Sequence, residues 1–283
     1  MSNVQSMQTA ERDTGVSRPA AGRSYSLRAL VDRFGSLILA LFLVGFWEFA
    51  VRFFDVPRFL LPTPSEIVTL MFREWPLIQM HATATISSII AGYLAAVVFA
   101  LAISALMIRF PVAERLIMPI FVGLQSVPKL AIAPLILVWV GAGFGSKVLV
   151  VAAIAFFPIV INTMTGFKEV DKGLRDVFRS VAANERQVFL QLRLPYAMPY
   201  IFAGLRIATT LAVLGAIVAE YLAASNGLGY LVLSGSFNFN TARSFAAIIS
   251  LAVIGTVFFW IMSVIEAKLS WKSRSGSDRT SEV

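Results

Sequence analysis

The sequence predicts an all-α integral membrane protein with about six transmembrane helices. Three observations carry this reading. Of the 283 residues, 58% are hydrophobic and 14% charged, whereas roughly a quarter of the residues in soluble domains are charged. Stretches 82–108, 148–167 and 244–265 hold no charge at all, and a spanning helix needs ~20 mostly apolar residues. Basic residues also alternate in density from one connecting segment to the next. Such apolarity excludes a disordered chain. The absence of cysteine excludes a disulfide framework, an Fe–S cluster and a thiolate metal site. With 24 Lys plus Arg against 16 Asp plus Glu, the net charge is +8. Its placement must decide between nucleic acid, acidic lipid and membrane orientation.

Residues 1–35 are polar and form a cytoplasmic tail, with a short amphipathic helix expected near 26–34 on the membrane surface. The first span, about 36–54, carries only Glu48 over 36–51. A polar lead and the lack of a small-residue cleavage site make it an uncleaved anchor rather than a signal peptide. Leu60-Leu61-Pro62-Thr63-Pro64-Ser65-Glu66 predicts a turn followed by an N-capped interfacial helix. The second span covers about 83–107. His81, the one histidine in the sequence, stands at its outer end and reads as structural rather than as a ligand.

The third span, about 116–140, is interrupted by Pro119, Pro128 and Pro134, with Lys129 in its middle. Each proline removes a backbone hydrogen bond. Broken backbone at membrane depth is tolerated only where protein or a water-filled cavity surrounds it. Gln125, Ser126 and Lys129 are therefore candidates for a polar path; the alternative is that Lys129 snorkels or pairs structurally. Gly141-Ala142-Gly143-Phe144-Gly145-Ser146-Lys147-Val148 superficially resembles a phosphate-binding loop. That pattern requires Gly before the Lys and Ser or Thr after it, so a tight turn is expected instead.

The fourth span covers about 148–166. Residues 167–199 follow as a charged amphipathic helix pair, expected to end at Pro195. Val177, Phe178, Val181, Val188, Phe189 and Leu192 form its apolar stripe. Asp171, Asp176 and Glu185 mix with the bases, which suits a protein groove better than lipid headgroups. The fifth span, about 200–222, carries a smooth ridge at Gly204, Ala208, Ala212 and Ala216. Small residues at this spacing permit close helix packing, either within the subunit or at an interface. Arg206, ~10 Å above the inner boundary at 1.5 Å per residue, can snorkel to the cytosol. The sixth span covers about 244–265, and a frayed tail is expected from Lys272.

With the N-terminus inside, segments 1–35, 109–115, 167–199 and 266–283 hold five, two, six and four bases, seventeen in all. The outer segments 52–82, 141–147 and 221–244 hold three, one and one, and Lys129 and Arg206 complete the 24. The +8 is thus an orientation signal rather than a nucleic-acid footprint, and both termini are expected in the cytoplasm.

The stretch Asp176-Val177-Phe178-Arg179-Ser180-Val181-Ala182-Ala183, with Leu192-Arg193-Leu194-Pro195 downstream, resembles the EAA loop of ABC-importer permeases. That loop reads E-A-A, three residues, G, nine residues, I-x-L-P. Here Asp176 replaces the Glu, Val177 and Phe178 the alanines, Ala182 the glycine and Leu192 the Ile. Ala182 lacks glycine's easy access to positive φ, so the departure bears on the tight bend. Leu60-Leu61-Pro62-Thr63-Pro64, Gln125-Ser126-Val127-Pro128, Ala133-Pro134-Leu135, Phe156-Phe157-Pro158-Ile159, Gly204-Leu205-Arg206, Ala219-Glu220 and Gly227-Leu228-Gly229-Tyr230 are similar, in order, to the nitrate/sulfonate/taurine permease family. Pro128-Lys129 ahead of Ala133-Pro134-Leu135 resembles the branch associated with thiamine-precursor pyrimidines and riboflavin.

The resemblance implies type I ABC-importer permease architecture over about 36–268, between tails 1–35 and 269–283. It implies a homodimer in a bacterial-type inner membrane, a cytosolic ABC ATPase dimer and an extracytoplasmic solute-binding protein. The coupling segment, about 168–195, would engage the ATPase through Asp176, Arg179, Ala182, Ala183, Glu185, Leu194 and Pro195. A path for a sulfonate, taurine, nitrate or related organic anion, or alternatively a heterocycle, would draw on Gln125, Ser126, Lys129, Ala212, Ala216 and Glu220. The chain itself would be no enzyme and hold no cofactor, ATP being used by the partner. An ion-coupled carrier would show paired midplane charges. A membrane enzyme would need a base or metal cluster this sequence scarcely has.

Overall fold

The computed structural model describes residues 25–223 and 225–274, with no strand among them. The chain divides into two compact units, up to Ala50 and from Val51 onward. In the first lies most of helix α1 (Tyr25–Phe53). Its Leu41 and Phe42 side chains are exposed, as a lipid-facing span requires. Residues 25–34 are helical but continuous with the span, with no separate surface helix. Apolar residues from Leu27 onward allow the helix to run through. The tail positions before residue 25 and after 274 lie outside the described residues.

The second unit begins with the anticipated turn and helix α2 (Pro64–Arg73). Thr63 and Glu66 form a reciprocal capping box: Thr63 Oγ1 accepts from the Glu66 amide and Glu66 Oε2 from the Thr63 amide, both at 3.3 Å. Two orphan donors at the helix start are thereby satisfied. Helix α3 (Trp75–Arg109) extends beyond the expected second span on both sides.

The third span is α4 (Pro111–Gln125), a 3-10 turn over Lys129–Ile132 and α5 (Ala133–Val140). The two apolar halves meet at 90°. Pro128, which has no N–H to donate and disfavours helical geometry at Val127, sits in the break. Pro134 follows in the first turn of α5, where proline is tolerated. Helices α6 (Phe144–Lys168), α9 (Leu194–Ala223) and α11 (Thr241–Arg274) are the remaining long spans. Helix α11 carries the chain as helix through Lys272, where fraying was expected.

Between α6 and α9 stand α7 (Lys172–Ser180), the single turn α8 (Glu185–Gln187) and a π-helical stretch over Val188–Arg193. Pro195 therefore does not end the helix. It falls in the first turn of α9, and the wider π turn before it accommodates a residue without an N–H. Between α9 and α11 lies the short apolar helix α10 (Leu228–Phe237). Ten residues reach only ~15 Å, half the ~30 Å of a bilayer's hydrocarbon core.

Helices α3, α6 and α9 make the core. Ala208, Ala212 and Ala216 are fully buried in one cluster with Ile89, Tyr93, Val151, Ala155 and Ile159. The small-residue ridge thus packs within the subunit. At Gly204 a Cβ would stand 2.9 Å from the Pro158 carbonyl oxygen and 3.2 Å from Ile159 Cα. Backbones this close leave no room for a side chain, which is how helices gain contact where no hydrophobic force separates protein from lipid. Tyr93 Oη donates to the Leu205 carbonyl at 3.0 Å, closing α3 onto α9.

Candidate functional site

Two constructions stand at opposite ends of the long helices. At one end, the α7–α9 segment is a turn braced on both sides. Asp171 caps α7, its Oδ1 accepting from the Leu174 amide at 3.1 Å. At the other end of α7, the Ala183 amide donates to the Phe178 carbonyl and the Ala182 amide to the Arg179 carbonyl, each at 3.0 Å. This pair of bonds is a Schellman stop, whose C′ position adopts left-handed backbone. Ala182 occupies C′ with φ 52°, so alanine takes here the conformation for which glycine is usually selected.

The next helix starts at once. Asn184 Oδ1 accepts from the Gln187 amide and Gln187 Oε1 from the Asn184 amide, both at 2.8 Å. Beyond this capping box, Phe189 rests 5.5 Å from the Phe167 ring and Leu192 is buried. The predicted apolar stripe therefore divides. Its C-terminal part packs on the end of α6, while Val177 and Val181 are 57 and 71% exposed, with Leu174, outside the predicted stripe, 43% exposed beside them. Beside them Asp176 and Arg179 form an exposed ion pair at 3.8 Å. Ala183 and Leu194 are half-buried, and Glu185 and Pro195 are exposed. A rigid turn presenting apolar and charged groups to water has the chemistry of a docking handle.

Two ion pairs fasten the same end. Lys168 Nζ at the end of α6 meets Glu114 Oε1 near the start of α4 at 2.6 Å. Arg206 pairs with Glu266 of α11 and lies 5.8 Å from the Phe259 ring centre. Arg206 is thus held by a partner rather than left to snorkel.

At the remote end, three successive amides at the start of α10 are each capped by a side chain. The Gly227 amide donates to His81 Nδ1 at 3.0 Å, Leu228 to Thr85 Oγ1 at 2.8 Å and Gly229 to Glu220 Oε2 at 2.8 Å. Thr85 Oγ1 in turn donates to Glu220 Oε1 at 2.9 Å. A carboxylate at a helix N-terminus is favoured by the helix dipole, and Glu220 is only 1% exposed. Lys147 Nζ donates to the Asn226 carbonyl at 2.8 Å and Oδ1 at 2.6 Å. Gly227 has φ 115°, and a Cβ there would sit 2.2 Å from Glu220 Cδ. Only glycine fits.

Nearby, Glu74 receives both Nε and Nη2 of Arg243 at 2.7 Å. Those hydrogen bonds hold the Glu74 carboxyl below its ordinary value, outweighing the opposite push of burial.

Of the path candidates, Gln125 and Ser126 are exposed at the break in the third span. Lys129 opens the 3-10 turn; its side chain lies outside the described residues. Ala212, Ala216 and Glu220 are buried within the subunit, on the stretch of α9 whose Leu211, Val218 and Ala219 pack with Ile132, Ala133 and Ile136 just after that break. The remote knot is what sequence reasoning missed. His81 read as a structural histidine, Lys147 as part of a turn, and Glu220 as a path residue. The signals were the His81/Thr85 pair on one helical face and a carboxylate seven residues before Gly227-Leu228-Gly229.

Over residues 88–271 the chain matches the family described as binding-protein-dependent transport system inner membrane component. It is 35% identical over 237 residues to the formylaminopyrimidine transport permease protein ThiX of Halalkalibacterium halodurans, covering 83% of this chain and 94% of that one. It is 33% identical over 241 residues to the putative aliphatic sulfonates transport permease protein SsuC of Bacillus subtilis, covering 84% and 87%. A chain from the crystal structure of an amino acid ABC transporter with histidines has a TM-score of 0.57 at 18% identity, covering 72% of this chain and 97% of that one. The fold is shared.

Proposed function

The chain belongs to the binding-protein-dependent transport system inner membrane component family and is an ABC-importer permease subunit, and on that footing we propose how it engages its partners. The segment 176–195 docks a cytosolic ATPase that uses ATP on its behalf; the permease holds no cofactor of its own. The observation that carries this role is the braced turn at Ala182–Asn184, with Val177, Val181, Asp176 and Arg179 exposed beside it. Two copies of the 36–268 domain would form the path, with both tails cytoplasmic. Seventeen inner bases against five outer ones support that orientation. An extracytoplasmic binding protein would deliver the solute to the remote end.

The solute class rests on the relatives. Similarity to a formylaminopyrimidine permease favours a small polar heterocycle. Similarity to a permease for aliphatic sulfonates keeps an organic anion as the second reading. Gln125, Ser126 and Lys129, at the broken third span, are the groups proposed to line the path. Ala212, Ala216 and Glu220 support it as packing and as the anchor of α10.

Charge reversal at Arg179 or Glu185 tests the coupling role. Expected is loss of uptake and of ATPase co-purification with membrane insertion intact; undiminished co-purification would contradict docking here. Lys129→Ala should alter uptake without altering assembly. Ligand screening of the cognate binding protein separates the two solute classes.

A further inference from the structure

Beside the coupling turn lies a cavity of about 350 Å³ lined by Ala105, Ile108, Arg109, Glu185, Arg186, Phe189 and Arg193. Three guanidinium groups against one carboxylate leave it an excess of two positive charges. Arg193 Nη1 donates to the Ile108 carbonyl at 3.4 Å, and Arg109 lies 5.5 Å from the Phe110 ring centre. Among the described residues none of the three arginines has a carboxylate partner. The docking segment 176–195 supplies Glu185, Arg186, Phe189 and Arg193 to this cavity, but no role described above uses the cavity as a binding site.

Its position identifies the occupant. Arg109 ends α3, so the arginines stand where a spanning helix leaves the hydrocarbon. Leu106, Phe110 and Val112 are 48, 52 and 67% exposed beside them, an apolar flank that a soluble anion would not use. Arginine's planar fork binds phosphate oxygens in pairs, and basic pockets between helices at the cytoplasmic surface hold acidic lipid headgroups. We propose that this cavity binds the phosphodiester headgroup of an acidic phospholipid, its acyl chains lying along Leu106 and Phe110. Because Glu185, Arg186 and Phe189 belong to the coupling turn, the lipid fastens that turn to the end of α3. The leaflet, the cytoplasmic one, rests on the orientation proposed above; the binding chemistry does not.

The test uses the full chain in mild detergent, with native mass spectrometry and thermal unfolding after addition of phosphatidylglycerol, phosphatidylcholine or inorganic phosphate. Phosphatidylglycerol should be retained and should raise the unfolding temperature, while phosphatidylcholine and phosphate should do neither. One cation near an anionic surface is worth about fivefold in affinity. Arg186→Gln and Arg193→Gln should each weaken retention by about that factor, whereas Arg115→Gln, outside the cavity, should not. Equal retention of both lipids, or retention unchanged in the arginine variants, overturns the proposal. An equal response to phosphate assigns the cavity to a free anion and overturns the lipid. Release of lipid on adding the ATPase shows a protein-covered cavity and does the same. The leaflet is read separately by labelling Ser180→Cys, a single thiol in a chain without cysteine. Labelling from outside would refute the orientation and leave the binding result standing.

Discussion

Replacing Ala182 with glycine should tighten the coupling turn rather than loosen it. An L-residue held in left-handed backbone costs roughly 1 kcal/mol or somewhat more, and Ala182 sits there at φ 52°. Glycine relieves that strain but raises the entropy of the opened chain, so the net gain is about 0.5–1 kcal/mol. No Schellman bond is altered, since both donors are backbone amides. A gain of this size lowers the opened population of the turn about two- to fivefold. Hydrogen exchange at the Ala183 amide, which donates to the Phe178 carbonyl, reads that population directly. Exchange should slow by the same factor in Ala182→Gly. It should speed in Ala182→Val, where a β-branched side chain makes the left-handed region costlier. Unchanged exchange in both variants would refute the assignment of strain to this position.

Removing the carboxylate with Glu220→Ala should destabilise the protein by about 2–4 kcal/mol, because the Gly229 amide is left buried without an acceptor; thermal unfolding should show a smaller loss for Glu220→Gln, which keeps one acceptor. Thr85 has a second acceptor in the His81 carbonyl at 3.2 Å, so Thr85→Ser should be the mildest change in the knot. Gly227→Ala should cost at least as much as Glu220→Gln, since its Cβ would overlap the carboxylate and its positive φ adds ~1–3 kcal/mol. Glu74→Gln should cost about 2 kcal/mol at neutral pH by removing a charge-assisted pair. The Glu74 carboxyl lies below its ordinary value of 4.5, so its contribution is full above that value and fades as pH falls through the lowered one. The difference in unfolding temperature between wild type and Glu74→Gln should accordingly shrink in acid.

What could be read in the sequence follows from the range of the forces involved. The spans were legible because bilayer insertion acts on runs of ~20 residues; of the three prolines expected to interrupt the third, Pro128 sits in the break, while Pro119 lies inside α4 and Pro134 in the first turn of α5. The α2 cap was legible because Thr63 and Glu66 are three residues apart, within one helical turn. Pro195 misled, because it falls in the first turn of α9 directly after the π turn Val188–Arg193, where its missing donor is accommodated and the chain stays helical. The bend at Ala182 was visible as a departure from glycine, but not as a strained position. The remote knot was hidden because Thr85 and Glu220 are 135 residues apart, and no local period brings them together. Burial of Ala212 and Ala216 likewise depended on α6 supplying the facing surface, which the ridge by itself does not specify.

The measurement closest to the central claim is cross-linking from the coupling turn. Val181 is 71% exposed and the chain contains no cysteine, so Val181→Cys carries a single reactive thiol. With a short bifunctional reagent in membranes containing the whole transporter, the permease should be captured with its ATPase, and nucleotide should change the yield. A thiol that reacts with maleimide yet never captures the ATPase, with or without nucleotide, would contradict the role assigned to segment 176–195.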